Sequence, residues 1–236
     1  MTAANVFSVP RLHVDGPLAA GAPVGLTPGQ AHYLGAVMRR AVGDPVRLFN
    51  GQDGEFLARV ETLKRDRGVL VAERRLRPQA AGADLWLAFA PLKRDATDLL
   101  VQKATELGAA VLWPVFTART IAARVNLGRL RAIGVEAAEQ SERLTVPVLE
   151  EGRSLDGLLA GWPAGRRLVV AVERAAGARV RPGGGPAGLL VGPEGGFTAG
   201  ELDQMGRHPL FEAATLGSLV LRAETAAIVG LALLQA

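Results

Sequence analysis

A chain of 236 residues holds one large or two small domains, and with 49% apolar residues it can bury a sizeable core instead of staying disordered. No run reaches the roughly 18 uninterrupted apolar residues of a membrane helix. The absence of cysteine excludes disulfides and thiolate metal sites, and three widely spaced histidines argue against a histidine-based one. Residues 1–6 lack the basic and apolar regions of a secretory leader, so the expectation is a cytoplasmic protein without membrane or metal. The net charge of +4 is unevenly placed. Residues 1–80 hold eleven Lys and Arg against seven Asp and Glu, while residues 81–236 hold sixteen of each. Most of that excess is Arg, whose planar fork of donors suits phosphate and base edges. Charge alone leaves a solvated surface and a nucleic-acid surface equally open.

The first third reads as short strands separated by turns. Residues 27–40 predict a helix with Thr27 as N-cap and Pro28 at its first position. Val46-Arg47-Leu48-Phe49, the turn signal Asn50-Gly51 and Phe56-Leu57-Ala58-Arg59-Val60 predict a hairpin. Val69-Leu70-Val71-Ala72 is a further strand, and residues 77–83 read as a linker. Such a pattern fits a small β-barrel.

Beyond the linker the rhythm becomes strand, helix, strand. Residues 85–90 form a continuous apolar strand, suited to a parallel sheet covered on both faces. Residues 95–107 predict an amphipathic helix ended by Gly108. Residues 111–116 predict a strand, 127–143 mostly helix, and 168–172 and 189–191 further strands. The Gly- and Pro-rich run 175–188 reads as a surface loop. Thr198-Ala199-Gly200-Glu201 fits a capping box. Residues 226–234 are apolar on every side, which predicts either a subunit interface or threading through the fold. No G-x-G-x-x-G follows the first strand of this region, and no P-loop pattern occurs, so neither a Rossmann dinucleotide site nor a P-loop is expected.

Two turns stand out. Leu189-Leu190-Val191-Gly192-Pro193-Glu194-Gly195-Gly196-Phe197 runs from an apolar strand into a glycine turn. Leu216-Gly217-Ser218-Leu219-Val220-Leu221-Arg222-Ala223-Glu224-Thr225-Ala226 does the same and opens a helix. A Gly-Gly pair gains no burial and loses the most backbone entropy on ordering, so its use is close approach of main chain to a ligand. Read alone, each turn also fits a structural cap before a helix.

These turns resemble the cofactor loops of the RsmE family of SPOUT RNA methyltransferases, whose pattern runs roughly GPEGG(F/L)…E…LG…(I/V)LR.ETA. Further blocks follow the family's order: Pro10-Arg11-Leu12, His32-Tyr33-Leu34, Val37-Met38-Arg39-Arg40 with Val42-Gly43-Asp44, Lys93-Arg94-Asp95, residues 102–108 and residues 136–143. The resemblance spans nearly the whole chain. It implies an α/β protein with an N-terminal PUA-like small β-barrel over residues 1–77, which grips RNA. A C-terminal SPOUT α/β trefoil-knot domain over residues 82–236 would bind S-adenosylmethionine. The implied reaction is methylation of N3 of one uridine in 16S ribosomal RNA of the small subunit. The implied assembly is a homodimer through the C-terminal domain, each active site borrowing residues from the partner.

Implied cofactor contacts fall on Val172, Val191, Gly192, Pro193, Glu194, Gly195, Gly196, Leu216, Gly217, Leu219, Leu221, Arg222 and Thr225. Glu194 would either stabilise its turn or lie near the sulfonium. Arg222 and Glu224 are the candidate catalytic pair. N3 of uridine is a poor nucleophile while protonated; a guanidinium favours the anionic base, and a carboxylate can accept the proton. The competing reading is an ion pair covering the helix start. RNA-contact candidates are Arg11, Arg39, Arg40, Lys93, Arg119 and Arg143. Two departures stand against the family pattern: Ala223 replaces a common Thr, and residues 117–123 lack the Glu before Arg119 and the Lys after it. The alternatives are a SPOUT transferase acting on another RNA and a catalytically inactive RNA-binding homologue.

Overall fold

The structure, a computed structural model, describes residues 8–173, 178–183 and 185–236. Two compact units make up the chain: Met1–Ala81 with Ala138–Thr145, and Gly82–Ala137 with Val146–Ala236.

In the first unit, β1 (Arg11–His13), β2 (Pro23–Gly25), β3 (Pro45–Phe49), β4 (Glu55–Leu63) and β5 (Gly68–Arg77) form one sheet in the order β1-β3-β4-β5-β2. β1 runs parallel to β3, and the other pairings are antiparallel. The β4–β5 ladder shifts register at three places, and such bulges bend a strand and increase its twist. The sheet therefore curls around Leu12, Val46, Leu48, Phe56, Ala58, Val60, Leu70 and Ala72.

One local expectation is corrected here. The helix of residues 27–40 keeps its capping box, with Gln30 N donating to Thr27 Oγ1 (3.3 Å) and Thr27 N to Gln30 Oε1 (3.0 Å). It remains α-helical only as α1 (Pro28–His32), then widens to a π turn over Tyr33–Val37 and ends with Arg39 at φ 51°. Gly35 weakens helix propensity at that point while Leu34 is fully buried in the sheet's core. The expected hairpin forms between β3 and β4. Residues 50–54 separate the strands, because Asn50 Oδ1 accepts from Gln52 N (3.0 Å) and Asp53 N (2.9 Å) and so holds a longer loop.

The second unit contains β6 (Leu85–Phe89), α2 (Arg94–Glu106), β7 (Val111–Phe116), α3 (Leu127–Gln140, its last residues grouped with the first unit), β8 (Val148–Leu149), β9 (Arg153–Ser154), α4 (Leu155–Ala160), β10 (Arg167–Ala171), β11 (Ala187–Val191), α5 (Ala199–Gly206), β12 (Phe211–Ala214) and α6 (Ala223–Gln235). All pairings are parallel, in the order β12-β10-β11-β6-β7-β8 with β9 beside β7. As the apolar runs predict, the central strands are covered on both faces: Leu87, Phe89 and Leu189 enter one core, and Ala88, Trp113 and Leu190 the other. β11 begins at Ala187, inside the predicted loop 175–188, whose residues 175–177 and 184 lie outside the described set.

α6 packs on β11, β6 and α2. A Cβ on Gly230 would lie 2.6 Å from Leu189 Cδ2, so glycine allows that close approach. The helix buries Ala223, Ala227, Gly230, Leu231 and Leu234 but leaves Ala232 and Leu233 exposed, so it is not enclosed on every side within this chain. To reach it, the chain leaves β12 at the sheet's edge and passes the β10–β11 connection, where Val180 N donates to Thr215 O (3.3 Å) and Thr215 N to Ala178 O (3.2 Å). It then returns over the middle of the sheet.

Candidate active site

Ala171, Val191 and Ala214 are aligned in register at the ends of three adjacent parallel strands, β10, β11 and β12. The segments beginning at Val172, Gly192 and Thr215 therefore leave one edge of the sheet side by side. Open parallel sheets bind ligands at the carboxyl ends of their strands.

The first loop, residues 192–198, is built from backbone. A Cβ on Gly192 would meet the Phe197 ring at 3.0 Å, so the ring lies directly against the main chain. Gly196 N donates to Pro193 O (2.8 Å), closing the turn, and Gly196 takes φ 66°. That left-handed value makes Gly196, and not Gly195, the position where a side chain strains the backbone. Nothing lies within 4 Å of a Cβ built on Gly196, so the main chain borders open space there. Val191, Gly192 and Pro193 are buried, whereas Glu194 and Gly195 are exposed.

Thr198 then caps α5 by the expected box: Glu201 N donates to Thr198 Oγ1 (3.2 Å), and Thr198 N to Glu201 Oε2 (2.8 Å). The second carboxylate oxygen, Oε1, accepts from Ala118 N at 2.7 Å. Burial acts to raise the Glu201 pKa, but the amide hydrogen bonds from Thr198 and Ala118, the Thr198 hydroxyl and the Arg119 charge together hold it below the ordinary carboxylate value. Arg119 Nη1 donates to Gly195 O at 2.6 Å. The loop after β7 is thus tied to the glycine loop at two points. Sequence reasoning placed Arg119 at an RNA surface and missed this link, which no local signal announces.

The second loop runs from Thr215 to α6. Thr215 Oγ1 donates to Gly217 O (2.9 Å), and Leu216 packs against the core. Leu219 is 79% and Val220 55% exposed, a large apolar surface for a loop. Arg222 is the exposed N-cap residue of α6, Glu224 lies half-buried in its first turn, and Thr225 and Leu221 are half-buried. Among the described residues no ion pair joins Arg222 to Glu224, so the helix-start ion pair is not formed. The half-buried Val172 donates its N–H to Ala214 O (3.1 Å), bringing it beside this loop.

The RNA candidates divide. Lys93 is the exposed N-cap residue of α2, Arg39 is exposed and Arg40 half-buried. Arg11 is a correction: it is 7% exposed and belongs to an ion cluster, not to a surface. Its Nε donates to Glu55 Oε1 (2.6 Å), Nη1 to Ala138 O (2.6 Å) and Nη2 to Arg143 O (2.6 Å), with the guanidinium 3.7 Å from the Phe49 ring centroid. Burial lowers its pKa against the raising effect of Glu55. Arg143 is also partly buried, with desolvation lowering its pKa to about 10, so a free RNA-facing guanidinium is not what the fold provides there. Most of the block at residues 136–143 sits among these bonds: Glu139 Oε1 accepts from His13 N (2.9 Å) and Glu142 Oε1 from Arg47 Nη2 (2.7 Å). Among the described residues, no group of three or more His, Asp or Glu is placed to hold a metal ion.

Replacing Gly196 by Val should weaken S-adenosylmethionine binding about tenfold, since a non-glycine residue in the left-handed region costs about 1–3 kcal/mol and a branched one is worst placed. Calorimetry measures this directly; wild-type affinity in a folded variant would exclude a backbone-built pocket.

A family profile described as the RNA methyltransferase domain matches residues 79–235, and one described as the RNA methyltransferase PUA domain matches residues 26–73. The chain is 33% identical over 227 residues to the ribosomal RNA small subunit methyltransferase E of Rickettsia conorii, covering 94% of this chain and 93% of that one. It is 31% identical to the protein of the same name from Synechocystis, over 91% of this chain and 73% of the other. Among solved structures, ribosomal RNA small subunit methyltransferase E from Neisseria gonorrhoeae bound to S-adenosyl methionine matches with a TM-score of 0.86, at 28% identity over 95% of both chains. A methyltransferase from Legionella pneumophila in complex with the same cofactor also reaches 0.86, at 27% identity over 96% of this chain and 97% of the other. The curled sheet and the parallel sheet are therefore the PUA-like and SPOUT folds that the sequence resemblance implies.

Proposed function

This chain belongs to the RNA methyltransferase family, within the ribosomal RNA small subunit methyltransferase E group, and we propose that it methylates N3 of a uridine in 16S ribosomal RNA, using S-adenosylmethionine. One observation carries this reading: two backbone loops, residues 192–198 and 215–222, leave one sheet edge together, and the second ends on the exposed Arg222. Bound S-adenosylmethionine supplies an electrophilic methyl group on a sulfonium, chemistry that needs no metal.

The residues present suit that cofactor. Main-chain groups around Gly192 and Gly196 offer amide and carbonyl partners for an adenine edge, and open space adjoins Gly196 and Gly217. Val172, Val191, Leu216, Leu219 and Leu221 supply apolar surface beside them, with Pro193, Glu194, Gly195 and Thr225 completing the contacts. Arg222 favours the ionised uridine base electrostatically, and Glu224 is the candidate proton acceptor. The RNA grip is assigned to residues 1–77, where Arg39 and Arg40 remain candidates, and to Lys93. Cofactor and chemistry are assigned to residues 82–236. A homodimer through the C-terminal domain would cover Leu233 and the apolar loop at Leu219 and Val220. A ribosomal substrate makes the work cytoplasmic.

The test is incubation with methyl-labelled S-adenosylmethionine and ribosomal subunits, followed by nucleoside mapping. Label on N3 of a uridine in the small-subunit RNA is the expected result; label confined to tRNA would overturn the substrate assignment.

A further inference from the structure

The connection that follows β7 begins with a turn folded on itself. Thr117 N donates to Thr120 Oγ1 (2.9 Å), Thr120 N donates to Thr117 O (3.1 Å), and the two hydroxyls share a hydrogen bond of 2.9 Å. Within it, Ala118 N donates to Glu201 Oε1 (2.7 Å), while Thr198 N donates to the other oxygen of the same carboxylate (2.8 Å). One side chain of α5 therefore joins this turn to the end of the glycine loop.

Arg119 reaches out from that anchored turn. Its Nη1 donates to Gly195 O (2.6 Å) and, at a longer 3.5 Å, to Phe197 O, the carbonyls on either side of Gly196. A Cβ on Gly195 would lie 3.3 Å from Arg119 Cδ, so the stem of the side chain runs against the main chain there.

The Gly195 carbonyl and the Gly196 N–H belong to one planar peptide unit. Arg119 holds its carbonyl end, and Pro193 O holds its N–H end at 2.8 Å. A glycine flanks this unit on each side, and glycine offers the least resistance to backbone rotation. Without the guanidinium, only the Pro193 bond would fix the plane. A hydrogen bond from an ionised donor is roughly twice as strong as one between neutral groups, so the arginine is the stronger of the two restraints.

We infer that Arg119 is a positioning residue for the cofactor site, fixing the Gly195–Gly196 peptide in its binding-competent orientation before S-adenosylmethionine arrives. A ligand that accepts one arrangement of a loop loses apparent affinity in proportion to the fraction of protein in that arrangement. The assignment rests on the S-adenosylmethionine reading and deepens it, because the residue that holds the pocket lies outside both glycine turns.

Arg119→Met keeps an unbranched stem and removes the donors. Calorimetry on the full chain should show S-adenosylmethionine binding about tenfold weaker, or about 1.4 kcal/mol. Methyl transfer at saturating cofactor should stay within about twofold of wild type, so KM for the cofactor rises while kcat does not, the pattern of lost binding. In the protein without cofactor, the Gly196 amide should exchange faster than in wild type. RNA affinity and its salt slope should not change. Arg124→Ala is the control: it removes an exposed cation from the same connection without touching these bonds, and its cofactor affinity should equal wild type.

Wild-type cofactor affinity in a folded Arg119→Met protein would overturn the inference. A log–log salt slope for RNA reduced by about 0.7 with cofactor affinity intact would also overturn it, making Arg119 a phosphate contact on single-stranded RNA. Equal weakening in Arg124→Ala would do the same by assigning the effect to loop charge instead of the bond to Gly195 O. A wild-type protein that binds no S-adenosylmethionine overturns the functional reading, whereas the Gly196 exchange comparison needs no cofactor and still judges what Arg119 holds.

Discussion

Glu55→Ala is expected to destabilise the first unit by about 3–5 kcal/mol, the usual cost of removing one partner from a buried ion pair. Glu55 is fully buried and receives Arg11 Nε at 2.6 Å and Arg77 Nε at 2.8 Å, with Arg47 Nη1 at 3.7 Å. Arg77 is partly exposed and can turn to water, but Arg11 would keep a buried charge without its carboxylate. The exposed pair Arg59–Glu73 is the contrast: Glu73→Ala should cost under about 1 kcal/mol. All three tryptophans lie in the second unit, so their emission follows that unit. Hydrogen exchange at the β4 and β5 amides follows the first. Equal protection of those amides in Glu55→Ala and wild type would remove the cluster from the stability argument.

Acid should reach the same cluster. Burial acts to raise the Glu55 pKa, but hydrogen bonds and charge from Arg77 and Arg11 outweigh it and leave the carboxyl below its ordinary value of 4.5. A depressed folded-state pKa means that the stabilisation is complete above the unfolded-state value and is lost as pH falls through the folded one. Protection factors at β4, which correct for the intrinsic slowing of exchange in acid, should therefore fall below about pH 4.5, and Glu55→Ala should flatten that dependence.

Arg222→Ala is expected to lower kcat by about 100- to 1,000-fold, the range seen when one preorganised electrostatic partner of a developing anion is removed. RNA affinity should be largely retained, since the phosphate contacts assigned above lie elsewhere. Alkaline pH ionises the uridine base without help, so the deficit should narrow as pH rises. Lys at this position should restore part of the rate by supplying charge without the planar fork. A variant whose kcat matches wild type across that pH range would remove the Arg222 guanidinium from the chemistry.

Elements whose signal is short-range were legible in the sequence. The capping boxes at Thr27 and Thr198, the covered strands β6 and β11, and the glycine turns after β11 and β12 each depend on a few adjacent residues. Their periodicity, cap chemistry or backbone freedom is written in those residues. The family blocks added the domain order and the cofactor, which periodicity alone does not contain. What the tertiary structure decided depends on partners far along the chain. Arg11 and Arg39 are the same residue type on neighbouring blocks. One is buried because Glu55 and the carbonyls of Ala138 and Arg143 are brought to it from 44, 127 and 132 residues away. The other is exposed, and among the described residues nothing comparable reaches it. Gly195 and Gly196 look interchangeable, and only the folded turn gives the left-handed conformation to the second. Arg119 reads as a surface cation until Gly195 O and the Glu201 carboxylate, brought in from residues 195 and 201, fix its loop. Charge and backbone permissiveness are properties of a residue, and sequence supplies them. Burial and partnership are properties of a place, and only the fold creates the place.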